Sequence, residues 1–174
     1  MKFRVFAALF IISIIFASVY GMIHNQISFT VSPEYFTKFK FIQFCISTKL
    51  QNRIGASVVG LRATWWMGLM IGLILVPLGL VIPGWRNFLF GMLRVFSVVT
   101  GTAFLTGIIA LIYGYFVLNN TNIPNYLYFD QAIDPVAFAR AGNMHNFSYL
   151  GGLIGIITGG IWIFVERALA KKRL

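Results

Sequence analysis

Residues 95–118 read VFSVVTGTAFLTGIIALIYGYFVL, 24 positions without a charged side chain. About 20 mostly apolar residues in a helix rising about 1.5 Å each cross the hydrocarbon core of a bilayer. This stretch is therefore long enough to span a membrane. Outward from it, the same pattern recurs at 5–23 behind Lys2 and Arg4, at 63–85 between Arg62 and Arg86, and at 141–165 between Arg140 and Glu166. A soluble chain of 174 residues has no interior that could bury four such helices. The expected fold is an all-α membrane protein, a single integral domain over 1–174. Its four transmembrane helices, at about 5–23, 60–83, 92–118 and 141–165, form a bundle. Outer segments at 24–54 and 119–139 and an inner loop at 84–91 complete it.

Composition agrees. Apolar residues make up 59% of the chain and charged residues 10%, with a mean hydropathy of +0.83. Soluble domains run at about 45–50% and about 25%. A soluble fold and a disordered tail are both excluded. The lone cysteine, Cys45, excludes a disulfide scaffold. The net charge of +10 would suit nucleic acid in a polar chain. In one this apolar it marks basic flanks of membrane spans, and no nucleic-acid partner is expected. The first stretch begins like a secretory signal. Its apolar run exceeds the usual 7–15 residues, and no small-x-small cleavage site follows, so a retained anchor is expected.

Four spans place both termini on one side. That side carries Lys2, Arg4, Arg86, Arg94, Arg167, Lys171, Lys172 and Arg173, with Glu166 as its acid. The other side carries Lys38, Lys40, Lys49, Arg53, Arg62 and Arg140 against Glu34, Asp130 and Asp134. Basic residues accumulate on the cytoplasmic side, so both termini are expected there.

The outer segments carry most of the remaining polar residues. Gln26-Ile27-Ser28-Phe29-Thr30-Val31-Ser32 alternates polar and apolar, which suits an extended strand. Ser32-Pro33-Glu34 reads as a helix start, and so does Asp134-Pro135. Phe36, Phe39, Phe41 and Phe44, interleaved with Lys38 and Lys40, suit short helices in the headgroup layer. Asn119 to Asn125 is rich in turn residues. The short inner loop around Pro83-Gly84 makes the second and third helices an antiparallel hairpin, and Pro77 should kink the second.

Helices in lipid associate through small residues and polar contacts. Gly151, Gly155 and Gly159 recur every fourth residue, and Gly68 and Gly72 share a face. They suit close packing inside the bundle, or a seam between copies of the chain.

Two histidines, His24 and His145, fall at similar depth near the outer boundary, each followed by asparagine. Helical periodicity puts His145 near the glycine stripe and Ser148 nearly on it. Ionisable residues at membrane depth are costly and are functional candidates. With Glu34, the two imidazoles make a possible metal site, or they could ligate a b-type haem; Asp130 and Asp134 are alternative carboxylates. Polar residues at a membrane boundary are the simpler reading. Arg62 with Trp65 and Trp66, and Arg140, could bind an anionic headgroup, form an aromatic belt, or pair with Glu34 or Asp134. There is no phosphate-binding loop, no Gly-x-Ser-x-Gly elbow, no His-Glu-x-x-His helix and no mid-span carboxylate.

His24-Asn25-Gln26-Ile27-Ser28, the run Ser32-Pro33-Glu34-Tyr35-Phe36 to Phe41, Ala63-Thr64-Trp65-Trp66 and His145-Asn146-Phe147-Ser148-Tyr149 resemble a group of uncharacterised bacterial inner-membrane proteins. The group carries no assigned activity. The resemblance implies a bacterial membrane protein and nothing more; with both termini expected in the cytoplasm, the expected place is the inner membrane, with the outer segments facing the periplasm or the exterior. The expected function is a non-enzymatic one: an accessory or structural subunit, or a protein that binds membrane lipid, a partner subunit or its own copy. The alternative is a metal- or haem-dependent membrane enzyme or electron carrier using His24, His145 and Glu34.

Overall fold

The structure, a computed structural model, describes residues 1–172. The basic residue Arg173 lies outside the described residues. Four long helices form the body: α1 (Lys2–Val31), then, after the short α2 (Pro33–Tyr35) and α3 (Phe41–Gln43), α4 (Arg53–Gly79), α5 (Trp85–Val117) and α6 (Pro135–Lys171). All four long helices are long and apolar enough to cross a membrane. There is no strand among the described residues.

Of the expected strand at 26–32, residues 26–31 are instead the end of α1, and Ser32 alone is extended. Its polar residues are satisfied sideways, not by a sheet. The Gln26 amide donates to the Arg53 carbonyl at 2.9 Å and to Ser57 Oγ at 2.8 Å, while Arg53 donates to Thr30 Oγ1 at 3.1 Å. Asn25 and Ser28 turn to the buried side. Seven alternating residues are too few to separate a strand from a helix with two polar faces.

The helices associate in two tight pairs, α1 with α4 and α5 with α6, and the pairs meet more sparsely. The expected hairpin of α4 and α5 is not a packing unit, although only residues 80–84 separate them. Small residues decide this. A Cβ at Gly68 would lie 2.6 Å from the Ser13 carbonyl oxygen of α1, and at Gly72 it would strike the Ser13 side chain. A Cβ at Gly155 would lie 2.9 Å from the Val99 carbonyl oxygen of α5. At Gly151 it would lie 2.8 Å from Ala103 Cα, and at Gly159 2.7 Å from Val99 Cγ2. Both glycine sets are thus used inside the chain. Pro77 falls in the last turn of α4, where few residues follow it.

At the end holding both termini, Lys2 Nζ donates to the carbonyls of Leu80 (2.9 Å) and Ile82 (3.0 Å) in the α4–α5 turn. Arg94 bonds the buried Glu166 at 2.8 Å, and Trp162 Nε1 donates to the same carboxylate.

The opposite end carries a cap. Ser32 accepts from the Tyr35 amide with Pro33 at the first helical position, as the sequence predicts. The chain runs on through π turns at Phe36–Lys40 into α3. Phe36 and Phe41 are fully buried with Tyr35, Ile46 and Phe138. Burying such a ring is worth roughly 1.5–3 kcal/mol. α3 ends on Cys45 in the left-handed region (φ 51°). The Ile46 amide donates to the Phe41 carbonyl (2.8 Å) and the Cys45 amide to the Ile42 carbonyl (3.1 Å). This is the Schellman pattern, with buried Ile46 and Phe41 in the accompanying apolar contact. Asn52 then caps α4, and Asp134 caps α6 as predicted from Asp134-Pro135.

Candidate functional site

The site lies where α1 and α6 cross beneath the cap. His24 on α1 and His145 on α6 meet edge to face, ring centroids 4.5 Å apart. Each turns its Nε2 to a serine of the other's helix. Ser148 Oγ is 2.9 Å from His24 Nε2, and Ser28 Oγ is 3.1 Å from His145 Nε2. The sequence arranges this reciprocity. Ser28 is four residues from His24 and Ser148 three from His145, so each serine shares a helix face with its own histidine. When the faces oppose, the partners exchange. All four are buried.

Asn25 fixes the proton positions on His24. Its amide nitrogen donates to the Ala56 carbonyl of α4 at 3.0 Å, which turns Oδ1 towards His24 Nδ1, 3.3 Å away. Oδ1 only accepts, so Nδ1 carries the imidazole proton and Nε2 holds the lone pair. Ser148 Oγ–H must then be the donor to Nε2. The sequence signal for this set was the repeated His-Asn pair. The partner serines and Ala56 are visible only once the helices are placed.

Two spaces adjoin the cluster. A narrow cavity of about 50 Å³, lined by His24, Ser148, Tyr20, Val59 and Ile71 among others, lies between the two helix pairs. That is room for a few waters. A wider groove of about 330 Å³, rich in aromatic rings, opens beside the cap. Lys40, His145 and Tyr149 line both. Tyr35 stacks on His145, centroids 4.9 Å apart. Tyr20 and Thr100 connect the cavity to a third space of about 530 Å³ on the outer flank of α1 and α5.

Lys40 is the unexpected member. It is 9% exposed. Its ammonium donates to Gln43 Oε1 at 3.0 Å and lies over the rings of Phe39 and Tyr35 at 4.4 and 5.6 Å. Among the described residues no carboxylate pairs with it. Burial pushes it down to about 8, and burial likewise pushes the Tyr35 hydroxyl up. The sequence places Lys40 among aromatic residues; only the folded cap shows that it points inward.

Glu34 does not join the histidines. Its carboxylate accepts from the amides of Ile133 (2.9 Å) and Asp134 (3.0 Å) and pairs with Lys38 at 2.6 Å. Lys38 also donates to the Gln131 carbonyl. The amide bonds and Lys38 hold Glu34 down to about 2. It is a clasp between α2 and the start of α6, so the expected set of His24, His145 and Glu34 is not assembled as ligands. No group of three or more His, Cys, Asp or Glu among the described residues could hold a metal ion. The histidine rings, in edge contact, leave no space between them for a porphyrin.

Arg62 and Arg140 are engaged by backbone and not by acids. Arg62 donates to the Phe44 carbonyl at 2.8 Å. Arg140 donates to the carbonyls of Gly114 (3.1 Å) and Leu118 (3.2 Å) and lies over Tyr115, closing the C-terminus of α5. Trp65 and Trp66 face outward, 47% and 42% exposed. Comparison with known protein families, curated proteins and solved structures found no match.

Proposed function

We propose that this chain is a bacterial inner-membrane protein that binds an amphipathic lipid with an anionic head. The observation that carries this is Lys40, a buried ammonium without an acidic partner, at the wall shared by an aromatic groove and an apolar cavity. A buried cation left unpaired is costly, and an anionic head supplies its missing partner. The groove is large enough for a headgroup-sized ligand. The apolar remainder runs down between the helix pairs towards Tyr20 and the outer flank. Admitting it requires the two pairs, which meet more sparsely than they pack within themselves, to part. The positive balance of the end carrying the termini supports a cytoplasmic location for both, with the cap on the far side.

The test is binding of oleate and of oleyl alcohol to the purified protein and to Lys40→Gln. Oleate should bind at least about 10-fold more weakly to the variant, a loss of about 1.4 kcal/mol, and the alcohol should bind both alike. Equal oleate binding to both proteins rejects the reading. A stoichiometric protein partner in its place would favour the accessory-subunit role.

A further inference from the structure

We propose that Ser148, His24 and Asn25 are a nucleophile, a general base and its positioning residue for hydrolysis of a lipid ester. The inference rests on reading the cavity as a lipid site. The geometry is that of an activated serine: hydroxyl to imidazole at 2.9 Å, and imidazole to an acceptor that fixes its tautomer at 3.3 Å. The Asn25–Ala56 bond favours the tautomer with the proton on Nδ1, which leaves His24 Nε2 to accept from Ser148 or from what replaces it. Ser148, His24 and Asn25 all line the apolar cavity, with Ser148 Oγ packed between His24 and the backbone of Gly107 on α5, so an ester reaches the hydroxyl only as the helix pairs part.

A fourth group fits. The Tyr20 hydroxyl lines the same cavity, its ring 5.6 Å from that of His24. Its oxygen is buried and has no hydrogen-bond partner among the described residues. An unsatisfied buried donor beside a nucleophile suits the oxyanion formed in acyl transfer.

The chemistry balances without a further reagent except water. Ser148 Oγ attacks the ester carbonyl carbon as its proton passes to His24 Nε2. The ester C–O bond then breaks, and the leaving alkoxide takes that proton as an alcohol. Water, deprotonated by His24 in turn, attacks the acyl-serine carbonyl. The carboxylic acid departs and Ser148 recovers its proton. Asn25 acts through His24 alone, and the tyrosine hydroxyl bonds the oxyanion in both halves.

Hexadecyl fluorophosphonate, which traps activated serines, tests this on the full chain in bilayer nanodiscs. The expected result is one adduct per chain, mapped to Ser148 by peptide mass. His24→Ala should slow labelling about 100-fold or more. Asn25→Leu should slow it and shift its pH profile, with partial rescue by Asn25→Asp. Ser47→Ala, in the exposed part of the cap, should label as the parent does. Peptide mapping of the parent identifies the modified residue even where Ser148→Ala does not fold. No adduct on folded protein, or an adduct elsewhere, overturns the proposal. Oleate binding retained without any adduct would leave the lipid reading intact, and an adduct with no selective oleate binding would do the reverse.

Discussion

His24 and His145 touch edge to face, and each bonds a serine on the opposite helix, so α1 and α6 are cross-linked by two reciprocal hydrogen bonds. This contact ties together two helix pairs that meet more sparsely than they pack within themselves.

Removing one arm leaves its partner unsatisfied. Ser28→Ala strands His145 Nε2 in a buried site and should cost about 1 kcal/mol, the scale of hydrogen bonds between membrane helices. Ser28→Ala with His145→Phe removes both polar groups and should recover part of it. Thermal unfolding in mild detergent reads both. A double variant less stable than the sum of its parts would mean the histidine has another essential partner.

The glycine stripe on α6 makes a directional prediction. Gly155→Ala puts a methyl 2.9 Å from the Val99 carbonyl oxygen and should lower the unfolding temperature. Gly152→Ala meets nothing within 4 Å and should leave it unchanged. Equal unfolding of both variants would mean that α5 and α6 do not meet through the Gly155 face.

Glu34 sets the acid behaviour of the cap. Its acidity in the fold is held down to about 2 against an ordinary value near 4.5. A carboxyl depressed in this way contributes stability that is fully present above pH 4.5 and lost as pH falls through about 2. Amide hydrogen exchange at Ile133 and Asp134 should therefore accelerate over that window. In Glu34→Gln it should already be fast at neutral pH, with no acid dependence of its own.

Lys40 acts in the opposite range. It is held down to about 8 against 10.5. Its charged form is disfavoured by folding, so the unliganded protein should gain stability as pH rises from about 8 towards 10.5 and lose that gain as pH falls through about 8. Oleate affinity should fall over the same rise, because the charge that holds the head is lost. Titration calorimetry against pH checks the pair of trends, and Lys40→Gln should abolish both.

Cys45 occupies a left-handed position that glycine adopts without strain. Cys45→Gly should stabilise the cap by about 1 kcal/mol, seen as a higher unfolding temperature. Cys45→Val should lower it, since a β-branched side chain is worse placed there.

The four helices long and apolar enough to span a membrane, the starts at Ser32-Pro33 and Asp134-Pro135, and the glycine faces were legible in the sequence. Each depends on local composition or a fixed helical period, which a single chain carries in itself. The two histidines could also be placed at one depth. Their contact could not, because it depends on how α1 is rotated against α6, and that rotation follows from backbone approaches such as Gly68 to Ser13 and Gly155 to Val99. The same holds for the other outcomes. Glu34 became a clasp because two amides at the start of α6 offered better partners than a distant imidazole. Lys40 turned inward because Phe36, Phe41 and Ile46 fixed the cap over the bundle. Periodicity decides which residues a helix offers; packing of one backbone against another decides which of them meet.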